Sequence, residues 1–486
     1  MPILSLMVAL PLVGAVLLVA AGGRVYRLAL LMTGLELILA VVAALQVDPA
    51  VTGFQLVERH AWIPSLGIHY HVGVDALSAL FLPLSALLFG VVVMTSRHHL
   101  ARPMPGLFFA MLALLEGATM GVFVALDTMF FFLFWELTLV PTYFLVALWG
   151  AGPYRRQAAT KYTLIMMAGG VPLLFGLLLA ALDHPVPLFD LPALLATPLP
   201  VSRQTAVFLL LLLGFGVKTP LVPLHTWLAT VAMEGPVAAV AIMTGLKLGA
   251  YGLLRFAIPI APEAARSFDW LLVALGVAGI LMGGFAALVQ TNLRRLLAYA
   301  SISHVGLVVL GLASFTLQGV QGAVFQLLSF ALVSGGLYCL TGFLHQRFGS
   351  TDLIHLGGLV RSMPLATALF LFLGLGGLGI PLTAGFPGEL LLLLGAAQTH
   401  FGAFLAALAG TILGAAAFLV FYRNAFLGPP AHPDLVRGPD LLPHERMALG
   451  GVSLILFLGG ILPSIILDYT QGAALGWLQG VTRPLP

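Results

Sequence analysis

The chain has 486 residues, of which 60% are hydrophobic and 8% charged, with a mean hydropathy of +1.08 and a formal net charge of +3. Soluble domains carry roughly 25% charged residues, so the composition excludes a soluble multidomain protein and places the chain in a lipid bilayer. The basic residues fall mainly in loops between apolar runs, so their excess reports topology and gives no sign of a nucleic-acid partner.

A spanning helix needs about 20 apolar residues. Such runs lie near 2–22, 25–45, 76–96, 106–126, 128–149, 162–182, 206–228, 237–257, 270–290, 296–315, 319–345, 365–395, 400–425 and 447–467. The expected architecture is an all-α polytopic membrane protein of about fourteen transmembrane helices. The first run has no basic residue before it and no small-residue cleavage site, so it reads as a retained helix rather than a signal peptide. Odd-numbered loops hold Arg24, Arg27, Arg97, Arg102, Arg155, Arg156, Lys161, Arg294, Arg295, Arg347, Arg361, Arg423, Arg437 and Arg446. Even-numbered loops and the ends of their helices hold only Arg59, Arg203, Arg255 and Arg266. This asymmetry predicts cytoplasmic odd loops, with both termini outside. The single cysteine, Cys339, lies within a span, and one thiol cannot hold an iron–sulfur cluster or a zinc ion. GLGGLG at 374–379 sits in an apolar span with no preceding strand, which excludes a dinucleotide fingerprint.

Three lysines stand against eighteen arginines. Arg stays protonated, whereas a buried Lys can lose its proton. Lys218 and Lys247 fall within spans, while the arginines fall almost wholly in loops. The intramembrane acids are Glu36, Glu116, Glu136 and Glu389, and His304 lies in ASISHVGLVVLG. A charge at the bilayer centre costs about 2.5–3.5 kcal/mol on insertion scales, and such residues usually face the bundle interior and mark ion paths. In GFGVKTPLVPLHTW at 214–227, Pro220 and Pro223 follow Lys218, and His225 comes just after. The prolines remove backbone donors and should break the helix. Open backbone at that depth is tolerated only where it is buried in protein or lines a wet cavity. GIPLTAGFPGE repeats the device, with Pro381, Pro387, several glycines and a terminal Glu389.

Glu136 precedes Lys218 by 82 residues, and His304 precedes Glu389 by 85. Each pair sets a polar residue two spans ahead of a broken span. The offset of about 170 residues covers five spans, and an odd number inverts the second copy, as in transporters with midplane sites. The expected division is 1–105 for helices 1–3, 106–258 for the first inverted repeat (helices 4–8), 266–426 for the second (helices 9–13), and 427–486 for a C-terminal loop and helix 14. The seventh and twelfth helices are expected to be broken. Glu116, Glu136, Lys218, Lys247, His304 and Glu389 then read as a proton relay.

These residues carry a resemblance to a known family. FFFLFWELTLVPTYFLVALWG, VKTPLVPLHTWL, GLKLGAYGLLRF, NLRRLLAYASISHVGLVVLG and GFPGELLLL are similar to motifs of the antiporter-like subunits of respiratory complex I. WIPSLGIHYHVGVDALSALF fits the approach to that family's third helix, and the match runs from about residue 54 to 468. The M type, which is similar to mitochondrial chain 4, has Glu on the twelfth helix where the L and N types have Lys. Glu389 stands there, and no long C-terminal lateral helix is read in the sequence. By resemblance, Glu136 takes the fifth-helix glutamate role, Lys218 the seventh-helix lysine role, Lys247 the connecting role on the eighth helix, and Glu389 the terminal site. Glu116, His225 and His304 take secondary roles. The resemblance implies a proton-translocating subunit of an NADH:quinone oxidoreductase in a bacterial inner membrane, with L-type and N-type neighbours and both termini periplasmic. No cofactor or metal is expected in this chain; NAD, FMN, iron–sulfur clusters and quinone are expected in partner subunits. Alternatives are a subunit of a multisubunit cation/proton antiporter or membrane-bound hydrogenase, or a scaffold impaired in conduction.

The chain departs from the family pattern in three places. WLATVAMEGP has Thr230 and Ala232 where an acid and a histidine are usual. Ten residues separate Pro236 from Lys247 where about twelve are expected; two residues are roughly 200° of helix rotation, so a loop should absorb the difference. Phe330 stands where the eleventh helix usually has a histidine at a break. A phenyl ring relays no proton, so water with Gln326, Ser329 or Ser334 is expected to bridge Lys247 and Glu389, with no titratable group at the midpoint.

Overall fold

The computed structural model describes residues 2–183, 186–429 and 440–483. Arg437 and part of the C-terminal loop expected within 427–486 lie outside the described residues. With no water in a bilayer core, backbone groups must be paired within the chain, and the apolar runs accordingly fold as helices.

The N-terminal helices are α1 (Ile3–Ala20) and α2 (Val25–Gln46). A two-stranded antiparallel sheet follows, β1 (Gln55–Ile63) and β2 (Ile68–Val74). Among the described residues this hairpin is one two-stranded addition to an otherwise all-α membrane protein. In register, Arg59 faces His71, His60 faces Tyr70 and Ala61 faces His69. Its polar side chains keep it out of the apolar runs. Asp190 ties it to the bundle: it accepts from His71 Nδ1 at 2.8 Å and lies 3.4 Å from Arg59. Burial pushes the Asp190 carboxyl up, but the His71 hydrogen bond, the Ala193 N–H and the charges of His71 and Arg59 outweigh it and hold its pKa below the ordinary 3.8.

The first half of the bundle continues with α3 (Phe81–Thr95), α4 (Pro105–Val124), α5 (Thr128–Leu137), α6 (Leu139–Trp149), α7 (Arg155–Leu182) and the short α8 (Leu191–Ala196). Then come α9 (Val201–Lys218), α10 (Thr226–Glu234), α11 (Val237–Leu246), α12 (Leu248–Gly252), α13 (Ile258–Ile260) and α14 (Pro262–Ser267). The second half comprises α15 (Asp269–Leu288), α16 (Leu293–Ala313), α17 (Leu317–Phe348), α18 (Pro364–Gly377), α19 (Gly385–Thr399), α20 (Phe401–Tyr422), α21 (Pro443–Ile461) and α22 (Pro463–Thr482). Helix starts are fixed by side-chain caps: Asp127 accepts from Met129 and Phe130 N–H, and Asn292 from Arg294 N–H. Such caps satisfy the orphan donors of a first turn.

Among the described residues, twelve helices are long and apolar enough to cross a membrane, or up to thirteen if the bent pair is one span. The shortfall against fourteen has a physical cause in the expected twelfth span, 365–395. It is split into α18 and α19, each too short to count alone. The seventh helix also breaks, directly after Lys218. The last apolar run ends near 467, whereas α22 runs on to Thr482, bent 71° from α21 at Leu462. α17 is buried along its whole apolar length, while α1, α2, α15 and α20 expose most of theirs. The bundle centre therefore lies around α17 and the helices packed on it, and it is there that the ionisable side chains gather.

Candidate functional site

The expected fifth span, 128–149, is two helices, α5 and α6, joined at Thr138. Pro141 has no N–H to offer the carbonyl one turn back, so the ladder opens there. Lys218 occupies the opening. Its Nζ donates to the Trp135 carbonyl at 3.1 Å and to Thr138 Oγ1 at 2.7 Å, and sits 4.0 Å over the Trp135 ring. The ammonium thus lies at the C-terminal ends of both α5 and α9, where helix dipoles favour a cation.

Glu136 is the residue after Trp135, yet it forms no ion pair with Lys218 among the described residues. Its Oε1 is buried with no hydrogen-bond partner and rests against Gly170 of α7, where a Cβ would collide with it. The Lys218 cavity, of about 420 Å³, is lined by Thr119, Thr138, Thr142, Tyr162 and Trp227 and reaches Leu246 and Leu248. It ends at the next interruption.

That interruption is Lys247 itself. It lies between α11 and α12 with φ 48° and ψ 44°. A non-glycine residue in this left-handed region costs roughly 1–2 kcal/mol, and such strain clusters at functional sites. No loop absorbs the short Pro236–Lys247 spacing: α11 starts at Val237 and runs unbroken to Leu246. The departure comes at the lysine. Its Nζ is hydrogen-bonded to Ser301 Oγ and lies 4.9 Å from the Phe330 ring centre.

The expected gap at Phe330 is filled differently. α17 is continuous through Phe330, with no break. His304, on α16, packs on the Phe330 ring with centroids 4.4 Å apart and an interplanar angle of 35°. A titratable group is therefore present at the midpoint, supplied by the neighbouring helix, and His304 Nδ1 is buried without a partner. Beyond it, a cavity of about 740 Å³ is lined by His304, Phe330, Ser334, Glu389 and Thr411. Of the bridging serines, Ser334 lines this space and donates to Thr244 Oγ1 at 2.9 Å. Ser329 and Gln326 do not line it. Glu389 Oε1 accepts from Thr411 Oγ1 at 2.6 Å, and its Oε2 is buried, unpaired and pressed against Gly379. Gly379 has φ +61°, a conformation glycine adopts at little cost, so it serves both the turn and the carboxylate.

The secondary residues divide. Glu116 does not line the Lys218 cavity but a separate one of about 290 Å³ with Thr33, Phe109 and Ala113. Glu36, on α2, has both carboxylate oxygens buried and unpaired. His225 lines a wide cavity of about 720 Å³ with Thr230, Glu234, Gln290, Arg295 and Tyr299, apart from the Lys218 cavity. Among the described residues no cluster of three or more His, Cys, Asp or Glu is placed to hold a metal ion. Sequence reasoning missed Thr138, Ser301 and Thr411, each a hydroxyl on an ionisable partner. Thr138 had a signal, two residues after Glu136; the other two depend on helix packing.

Helices broken beside a lysine and a glutamate, joined through the bundle centre by buried ionisable side chains, define an antiporter-like polytopic membrane protein. A family described as NADH:quinone oxidoreductase/Mrp antiporter, transmembrane, matches residues 125–414. NADH-quinone oxidoreductase subunit M of Rickettsia conorii is 32% identical over 481 residues, covering 96% of this chain and 97% of its own length. An NAD(P)H-quinone oxidoreductase chain 4 of Synechococcus sp. is 38% identical over 510 residues, covering 100% and 96%. Among solved structures, a chain of respiratory complex I from Thermus thermophilus superposes with a TM-score of 0.90 at 32% identity, covering 98% of this chain and 99% of that one. This chain belongs to the NADH:quinone oxidoreductase/Mrp antiporter family and, within it, to the M-type antiporter-like subunits.

Proposed function

We propose that the chain translocates protons as the M-type membrane subunit of an NADH:quinone oxidoreductase. The observation that carries this reading is the placement of Lys218, half-buried, and of Lys247 and Glu389, both buried, each at or just past a helix interruption and all within the segment matched to the family. Lys is the basic residue that can lose its proton when buried. In the proposed path, Lys218 releases a proton into the cavity lined by Thr142 and Tyr162. Lys247 takes it up and passes it by way of Ser301 towards His304, and Glu389 releases it with Thr411 as its hydroxyl partner. Glu136 sets the charge felt by Lys218 without contacting it. Phe330 lies against both Lys247 and His304 and acts as an apolar gate that dewets when its flanks are neutral.

Moving one charge against 100 mV takes about 2.3 kcal/mol, so the energy comes from elsewhere. We assign the redox work to partner subunits that hold NAD, FMN, iron–sulfur clusters and quinone, with this chain contributing to a translocase and carrying no redox centre. Its membrane neighbours are the L-type and N-type subunits, and its setting is a bacterial inner membrane with both termini periplasmic. The halves 106–258 and 266–426 are proposed as inverted repeats within fourteen spans; the matching breaks after Lys218 and after Gly377 support that division. The test is purification of the tagged chain. Copurification with flavin- and iron–sulfur-bearing subunits supports the assignment. Recovery with cation/proton antiporter subunits alone overturns it.

A further inference from the structure

A separate cavity of about 540 Å³ lies where α3 runs into the turn before α4, next to the start of α11 and the end of α17, on the face proposed above as cytoplasmic. Its polar walls are His98, His99, Arg102, Arg294, His345 and Gln346. Among the described residues no carboxylate lines it. Glu234, on α10 nearby, turns its carboxylate to the Tyr154 N–H at 2.8 Å.

Two of these walls are buried and incompletely paired. His99 is 3% exposed, stacks on Phe108 with ring centroids 3.9 Å apart, and has a buried Nδ1 with no hydrogen-bond partner. Arg294 is also 3% exposed. Its Nη1 donates to the Met233 carbonyl at 3.0 Å and its Nη2 to the Gly235 carbonyl, but its Nε is buried and unpaired. Arg102 is exposed and makes no ion pair among the described residues. Gln346 Nε2 lies 3.0 Å from His98 Nδ1. A buried guanidinium Nε and a buried imidazole nitrogen, each left without a hydrogen-bond partner, are both costly. One anion in the cavity relieves both at once.

We propose that this cavity binds a phosphate-class oxyanion. Arg102 and Arg294 supply positive charge and the His99 ring a further nitrogen, and a phosphate offers three or more acceptor oxygens to such a set. The ligand sits on Arg102 from the open side and on the His99 and Arg294 nitrogens from within. The same group can come from free phosphate or from a phospholipid headgroup. α4, α11, α16 and α17 are the more buried helices of the bundle, which favours the water-soluble source. The proposal is independent of the proton path, since none of Glu136, Lys218, Lys247 or Glu389 touches this cavity.

The test uses the purified complex with the wild-type chain, Arg102→Gln, Arg102→Lys or His99→Phe; the last keeps the ring stack and removes the nitrogen. Equilibrium dialysis with radiolabelled inorganic phosphate reads the free-anion source. Phospholipid phosphorus per complex, after detergent washing, reads the headgroup source. The expected result is a saturable phosphate site weakened about tenfold or more in Arg102→Gln and His99→Phe and nearly kept in Arg102→Lys. If phosphate does not bind but one retained phospholipid is lost in both weakened variants, the site stands with the lipid source. If neither phosphate binding nor lipid content differs between the wild-type and variant complexes, the proposal is overturned.

Discussion

Replacing Lys218 by Arg separates charge from protonation. The guanidinium can keep the acceptors that hold the ammonium, the Trp135 carbonyl and Thr138 Oγ1, and it can stay over the Trp135 ring. Folding and assembly should therefore survive. Proton release should not. Arg stays protonated far above pH 7, and releasing its proton there costs roughly 7 kcal/mol. Added to a transfer barrier, that slows the step by about 10⁵-fold. The assay is acidification of proteoliposomes that carry the purified complex, driven by NADH and quinone, with complex content checked by its flavin. Pumping should vanish in Lys218→Arg and in Lys218→Ala alike. Wild-type pumping in the Arg variant would show that this residue never deprotonates and would refute the relay.

Phe330→His should keep or raise proton flux, because it sets a second imidazole beside His304, whereas Phe330→Leu should leave the dry gate; the same assay reads both. Gly170→Ala places a methyl group where the Glu136 carboxylate now lies, so pumping should fall while assembly holds; unchanged pumping would mean that the carboxylate position is unimportant. Thr411→Val removes the hydroxyl donor to Glu389 and should slow pumping about tenfold, the worth of one charge-assisted hydrogen bond, with Thr411→Ser close to wild type. Asp190 has a depressed pKa in the folded chain, so its contribution to stability is present above its ordinary 3.8 and is lost as pH falls below that value. Hydrogen exchange of the β1–β2 hairpin should accelerate over that window, and Asp190→Asn should abolish the pH dependence.

The two broken helices were legible because proline and glycine sit beside an ionisable residue inside an apolar run, a combination that composition alone exposes. The hairpin was not. Arg59, His60, His69 and His71 interrupt the apolar pattern, and nothing in a span count looks for strands outside the bilayer. α22 was missed because Asp468 and Gln471 lower its apolar content and Pro463 reads as a stop, although proline is tolerated in a first turn. The left-handed Lys247 had only the flanking Gly245 and Gly249 as a hint, and spacing from Pro236 pointed to a loop instead. The contact of His304 with Phe330 joins residues of different helices, so it follows from the register of α16 against α17, which no local pattern contains. Glu136 and Lys218 lie 82 residues apart in the sequence; in the fold they meet at the end of α5 without an ion pair.

The central claim is that protons cross the membrane through this chain. The most direct measurement is the number of protons moved per NADH oxidised by the reconstituted complex when only Lys247 is replaced by Ala, with NADH oxidation by a soluble electron acceptor as the control for the partner subunits. The control reaction should be unchanged, and proton movement coupled to quinone reduction should be lost or reduced. A full proton yield with Lys247→Ala would contradict the claim.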